Sequence, residues 1–324
     1  MDSLIPTAIR RLFFSIPVEE TRFAKRGFRA TKPAVVNHLE KIGASFLDGY
    51  HSALCAVDFA DLENNLEKIE ANYRGFSYEG AAMSLALLDR LSLLKKTRIE
   101  DFLNGEAEKH IYMVYVGIGW ALARLPWTRR RIVQSISNLD SLLKWLAIDG
   151  FGFHEGYFNP RRYFHSEISL NSLPEYAKRA FTQGLGRSLW FVEGASVEHI
   201  SEMILKMPKE MRADLWSGIG LACGYAGGVE IVELEKLKER SQEYLPFAAQ
   251  GVAFAAKTRL RAENAAIHTE NACRIICGLS IEDAAFLTDT TLKKLPETDD
   301  LKLPKYEIWR QRIQQEFSRE VIYI

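Results

Sequence analysis

The chain has 324 residues, 47% of them apolar and 26% charged, which is the balance of a globular protein and not of a disordered chain or a membrane bundle. Lysine plus arginine and aspartate plus glutamate each total 42, so no net field draws nucleic acid or anionic lipid. Four scattered cysteines, Cys55, Cys223, Cys273 and Cys277, are too few to staple so long a chain and suit a reducing compartment.

The amino-terminal run Leu12-Phe13-Phe14 is far shorter than the apolar core of a signal peptide and is followed by Glu19 and Glu20. No uncharged apolar run approaches the roughly 18 to 20 residues that span a bilayer. The expectation is a cytoplasmic protein with no membrane span and no nucleic-acid partner. Residues 1–35 read as an extension, 36–262 as a repeat array and 263–324 as capping helices, all within one continuous structural domain.

The array is marked by glycines. Val116-Gly117-Ile118-Gly119-Trp120, Asp149-Gly150-Phe151-Gly152-Phe153, Gln183-Gly184-Leu185-Gly186-Arg187 and Ser217-Gly218-Ile219-Gly220-Leu221 repeat one pattern. Weaker copies stand at Asp48-Gly49-Tyr50, Glu79-Gly80-Ala81-Ala82 and Gln250-Gly251-Val252-Ala253. The first glycines step by 31, 37, 33, 34, 34 and 33 residues. Each lies in a helical pattern, as Met211, Leu215, Ile219 and Cys223 show at a spacing of four. Partner helices are expected before most of them, for example over 58–69 and 196–207, with Pro174 and Pro208 near helix starts and Gly227-Gly228 as a stop. The fold expected is therefore all-α: a solenoid-like stack of about seven degenerate helical hairpins of tetratricopeptide-like length, period about 34, without that repeat's consensus.

A glycine inside a helix costs roughly 1 kcal/mol relative to alanine, so seven in register require a reason. Close approach of neighbouring helices on two smooth flanks supplies it, because residues two apart point about 160° from each other. One residue after each glycine the chain is apolar, as at Ile118, Phe151, Leu185, Ile219 and Val252, which reads as a core ridge. One residue before it stand Asp48, Glu79, Val116, Asp149, Gln183, Ser217 and Gln250. Three after it stand Ser52, Met83, Trp120, Phe153, Arg187, Leu221 and Phe254. This polar and aromatic stripe either lines a groove for a long, mostly apolar ligand, or turns its polar members to water and packs its aromatics on the next helix. Asp48, Glu79, Trp120, Asp149, Phe153, Gln183, Arg187, Ser217, Gln250 and Phe254 are the candidate ligand-binding residues.

The pattern falters over 159–173, where turn formers replace a clean helical stripe, either as a functional loop or as a plain connection. Just before it, His154 shares a helical face with Gly150 and adjoins Glu155, which makes the two a candidate proton-transfer pair or else a satisfied structural histidine with its neighbour. Phe158 occupies the place where a zincin would carry its second histidine. Asp48 and His51 have the spacing of a metal-binding acid and histidine. A site would need Glu79, Asp149, Glu155, Glu193, or His268 with Glu270 to converge on them, and no metal or cofactor is expected. The run Arg129-Arg130-Arg131 reads as a solvated helix end. Nucleophile-elbow and phosphate-loop motifs do not occur.

Residues 22–28, Gly75-Phe76-Ser77-Tyr78-Glu79-Gly80-Ala81-Ala82-Met83, residues 150–158, residues 183–191 and residues 214–222 resemble the UnbL-type family, and His268-Thr269-Glu270 with Ala272-Cys273-Arg274 extends the likeness to about residues 22–317. That family, of unassigned biochemistry, accompanies iterative polyketide synthases in bacterial enediyne clusters. The resemblance implies a part in enediyne polyketide biosynthesis, acting on or holding a linear polyene-derived intermediate, with the polyketide synthase and accessory enzymes as partners. The alternative is a non-catalytic scaffold that docks the synthase on a concave surface. The resemblance brings no catalytic residues with it.

Overall fold

The computed structural model describes residues 7–92, 97–128, 131–166, 168, 170–297, 300 and 302–320. It is 76% helical, and no strand occurs among the described residues. Each glycine motif lies in a long helix: α1 (Pro33–Cys55), α2 (Ala71–Leu91), α3 (Ile111–Ala123), α4 (Lys144–Phe158), α5 (Glu175–Val192), α6 (Lys209–Ala226) and α7 (Leu245–Arg261). After a short helical stretch over Ile267–Ala272 and Cys273–Cys277 come two longer helices, α8 (Ile281–Leu292) and α9 (Lys305–Glu320). Successive glycine helices are nearest neighbours throughout, as a solenoid-like stack requires. No described helix is long and apolar enough to cross a membrane.

Local signals set the helix ends. Pro174 and Pro208 sit at the N-caps of α5 and α6, and Gly227, at φ +65°, ends α6 where a side chain would be strained. The expected partner helix over 58–69 forms as Phe59–Glu67, with the Asp58 carboxylate accepting from the Asp61 N–H at 2.8 Å. That over 196–207 forms as Val197–Lys206. A third, Ile231–Ser241, precedes α7, while others shrink to a turn or two such as Ile132–Ser135 and Pro160–Phe164. Of the basic run, Arg129 and Arg130 lie outside the described residues and Arg131 is exposed.

The glycines are contact points between backbones. A Cβ on Gly117, Gly150, Gly184, Gly218 or Gly251 would lie 1.9–2.2 Å from the carbonyl oxygen of the residue just before the preceding helix's first glycine. One on Gly119, Gly152, Gly186 or Gly220 would lie 2.0–2.2 Å from a carbonyl three residues before the next helix's first glycine. Each of α3 to α6 thus presses backward with one glycine and forward with the other, an approach close enough for weak Cα–H···O contacts.

This geometry corrects the register of α1. Gly80 packs on the Phe46 carbonyl and Gly49 on the Ser77 carbonyl, so Gly49 is the forward glycine and Leu47 holds the backward position. No glycine helix precedes α1, so nothing requires glycine at 47. The first step becomes 33 residues instead of 31. Phe46 takes the inner place assigned to Asp48, and Asp48 turns outward and is exposed.

The stack also coils back on itself. His38, early in α1, bonds through Nε2 to the Ala226 carbonyl at 2.7 Å, and Arg259 on α7 donates to the Asn72 carbonyl at 3.0 Å. Residues 22–31 run across the ends of α4 and α5, where Arg26 donates to the Phe158 carbonyl at 2.8 Å and Arg29 pairs with Glu193 at 2.6 Å. The inner stripe therefore faces the interior of a tight coil, and the main hydrophobic cluster runs from Ile16 to Phe317, with a smaller one around Leu62, Tyr78 and Phe102.

Candidate functional site

The polar members of the inner stripe do not face water. Glu79, Asp149, Gln183, Ser217 and Gln250 are each at most 1% exposed, and four of them bond helix to helix. Gln183 Nε2 donates to Asp149 Oδ2 at 2.8 Å, and Ser217 Oγ lies 3.2 Å from Gln183 Oε1 and 2.8 Å from Gln250 Oε1. Stacking places one such residue per helix at one level, and burial makes each bond obligatory.

The far end of this spine is closed by α9, which lies in the stretch expected to hold capping helices, although the glycine pattern did not signal its buried charges. Arg310 donates to Gln250 Oε1 at 3.3 Å and to Asp214 at 2.7 Å, and pairs with Glu307 at 3.0 Å. Arg179 grips Asp214 with two bonds and meets Glu307 at 2.6 Å. Asp214 and Arg179 lie one turn before the glycines of α6 and α5, on the face of the polar stripe, which is the signal that would have found them.

Arg187 is fully inside. Its guanidinium donates to Asp149 Oδ1 at 2.5 Å and lies over the Phe153 ring, 4.7 Å from the centroid. Glu79 has no such direct partner. Its Oε1 meets no hydrogen-bond partner among the described residues, and neither does the nearby Trp120 Nε1. Burial pushes the Glu79 carboxyl up to about 8; Arg187 opposes this, Asp149 adds to it, and the Trp120 N–H pulls weakly downward. Glu79 is therefore mostly protonated near neutral pH.

Glu79 stands at the floor of a cavity of about 50 Å³ walled by Phe46, Phe76, Met83, Trp120, Phe153, Tyr157, Phe158 and Phe191. Ile16, Glu20 and Thr21 of the amino-terminal segment also line it. That segment is tied down by Tyr50 Oη, which donates to the Phe14 carbonyl at 2.8 Å, and by Glu40, which accepts from the Phe23 N–H at 2.8 Å. A second cavity of about 30 Å³ is lined by Val116, Arg187, Leu221, Tyr225, Phe254 and Tyr306. Trp120 and Phe153 thus belong to one chamber and Phe254 to another. Arg187, stacked on Phe153, stands between them, so the stripe does not line one continuous tunnel.

His154 and Glu155 are buried and 3.5 Å apart, with Tyr163 donating to Glu155 Oε2 at 2.9 Å. The irregular stretch 159–173 thus delivers Tyr163 to this pair; residues 167 and 169 within it lie outside the described residues. His154 packs edge-on against Trp120, behind the aromatic wall, and lines neither cavity. Gly150 makes no room beside it, because the Val116 carbonyl fills that space.

The residues that a metal site at Asp48 and His51 would need do not converge. Asp48 is outside, His51 Nε2 accepts the Ile16 N–H, Glu193 pairs with Arg29, His268 bonds the Tyr225 carbonyl, and Glu270 pairs with Arg274. No cluster of three or more metal-ligating side chains occurs among the described residues.

Fold and site together define a coiled all-α repeat protein whose interior holds an aromatic chamber with a carboxyl group at its floor. Over residues 5–317 the chain matches the family described as "Protein of unknown function (DUF1702)", and it belongs to that family. No curated protein and no solved structure matches it.

Proposed function

We propose that this protein binds a long, mostly apolar, unsaturated chain of the polyene or polyketide kind in the aromatic chamber, and holds or reshapes it there during assembly of an enediyne-type product. The observation that carries this reading is the chamber itself: eight ring or thioether side chains around one buried carboxyl, a lining that favours a flat conjugated chain with a single polar handle. The motif resemblance over residues 22–317 supports the same ligand class.

The cavity has room for only a few waters. A long chain therefore enters as residues 16–21 move aside, and the amino-terminal segment acts as the cover. His154 and Glu155, behind Trp120, are the reserve for proton transfer if the bound chain reaches past that ring. The scaffold alternative needs an open concave curve, and the inner stripe is instead buried and filled.

The test is reconstitution with a polyene-forming iterative synthase, comparing product masses with wild-type protein, with Trp120→Ala and with no added protein. The reading expects a product change with wild type that Trp120→Ala weakens or abolishes. An unchanged product profile with wild type would overturn it. His154→Ala in the same assay separates holding from proton transfer.

A further inference from the structure

The floor of the aromatic chamber is polar in an unusual way. Two groups there, the Glu79 carboxyl and the Trp120 indole N–H, are nearly or fully buried; Glu79 Oε1 and the indole nitrogen meet no partner in hydrogen-bond geometry among the described residues, although the indole N–H lies near enough to the carboxyl to favour its charged form slightly. Other buried atoms, among them Gln250 Nε2 and Tyr225 Oη, also meet no partner among the described residues; Glu79 and Trp120 are distinguished by lining one cavity together. A buried polar group left unsatisfied costs on the order of 1–3 kcal/mol, so two together mark a place where a partner is missing.

Resting on the reading of the chamber as a ligand site, we propose that Glu79 and Trp120 form a two-donor cradle for a carbonyl oxygen at the inner end of an otherwise apolar ligand. Indole N–H is a donor only, and a protonated carboxyl offers one O–H. A carbonyl oxygen, with two lone pairs and no proton, can accept from both. An ammonium has no lone pair and an amine only one, so neither can accept from both donors, and a carboxylate would be carried out of water beside Asp149.

The donor role of Glu79 lasts while its proton does, and several charges bear on it. Arg187 on α5 favours its loss, Asp149 on α4 opposes it, and Tyr225 on α6 is coupled to both Glu79 and Arg187. On α3 the neighbour is the Trp120 N–H, on α1 the wall is Phe46 and Leu47, and Glu20 of the amino-terminal segment also lines the cavity. Burial outweighs the rest and keeps the proton in place to about pH 8. Affinity for a carbonyl ligand is therefore full at neutral pH and falls above it, by about tenfold from pH 7 to pH 9. A ligand without the oxygen is bound equally at both.

The full-length protein is titrated with two probes, a linear conjugated tetraenal and the tetraene hydrocarbon of equal length, followed by quenching of tryptophan emission and by the tetraenal absorption band. The expected result is tetraenal binding with a red-shifted band, weakening about tenfold from pH 7 to pH 9, beside pH-independent binding of the hydrocarbon. Glu79→Gln, which keeps an N–H donor, binds the tetraenal without pH dependence. Trp120→Phe, which keeps a ring, loses about tenfold in tetraenal affinity and little for the hydrocarbon. Tetraenal binding that is flat with pH in wild type, or that falls equally in Glu79→Gln, overturns the cradle while leaving the chamber as a ligand site. Failure of both probes to bind overturns the chamber reading and the cradle with it.

Discussion

Gly184→Ala is the substitution that most directly tests why the fold exists. Helix propensity alone favours it by roughly 1 kcal/mol. The structure opposes it, because the new Cβ would lie 1.9 Å from the Asp149 carbonyl oxygen and 2.6 Å from the Phe153 backbone N, both on α4. Ordinary contact begins near 3.4 Å, and no flexible side chain is available to yield. Helices α4 and α5 must therefore separate by more than about 1 Å, and overpacking of this kind costs about 1–3 kcal/mol. The same shift stretches the Gln183–Asp149 and Arg187–Asp149 bonds, 2.8 and 2.5 Å long at that level, and weakening buried bonds adds about 1–3 kcal/mol. The net expectation is a loss of about 2–4 kcal/mol. Urea unfolding followed by far-ultraviolet circular dichroism measures it, with Gly224→Ala as the comparison, since its Cβ would meet chiefly the Ala255 methyl at 2.8 Å. A Gly184→Ala protein as stable as wild type would show that helix propensity, and not backbone approach, governs these positions, and the account of the stack would fail.

Glu79→Gln should raise stability at neutral pH. An acid whose carboxyl is pushed from 4.5 to about 8 contributes stability that is present below about 4.5, declines as pH rises towards 8 and is flat above. At pH 7 the wild type has lost about 3 kcal/mol in this way, and Glu79→Gln should lack that decline in urea midpoints between pH 5 and 8. An equal decline in both proteins would place the proton elsewhere. Arg187→Met leaves Asp149 buried without its cation and should cost about 3–5 kcal/mol, with much of the loss recovered in the double variant Arg187→Met, Asp149→Leu, as thermal unfolding would show. Phe46→Ala should cost about 3–5 kcal/mol and open the chamber wall, while Asp48→Ala, on the exposed face, should stay within about 0.5 kcal/mol. The reverse order in a urea titration would refute the corrected register of α1.

Much of the architecture is legible in the chain because glycine inside a helix has few uses. A period near 34, proline at two helix starts and Gly227 at a stop suffice for the number and order of the seven glycine helices. Local patterning could not reveal that α1 is offset by two residues. Leu47 and Gly49 differ from the other motifs only because α1 has no predecessor to approach, and that is a fact of neighbours. The polar stripe was visible as a stripe; its burial was not. Periodicity reports which residues share a face, and whether that face meets water depends on how far the stack coils.

The candidate site divides in the same way. Glu79, Trp120 and Phe153 were found by their offset from a glycine, since a fixed offset in a regular helix places side chains on one wall. Phe46, Phe76, Phe158 and Phe191 join them through curvature and through the cover formed by residues 16–21. The Arg179, Asp214, Glu307 and Arg310 network depends on a helix about 90 residues beyond Asp214 returning to the interior. Sequence by itself determined the repeat, the helix-to-helix glycine contacts and the residue types along each face, because these follow from 3.6 residues per turn. Only the tertiary structure decided that the faces close on one another, leaving Glu79 dry and protonated at the floor of an aromatic chamber, because burial and partners are properties of the assembled coil and not of any one helix.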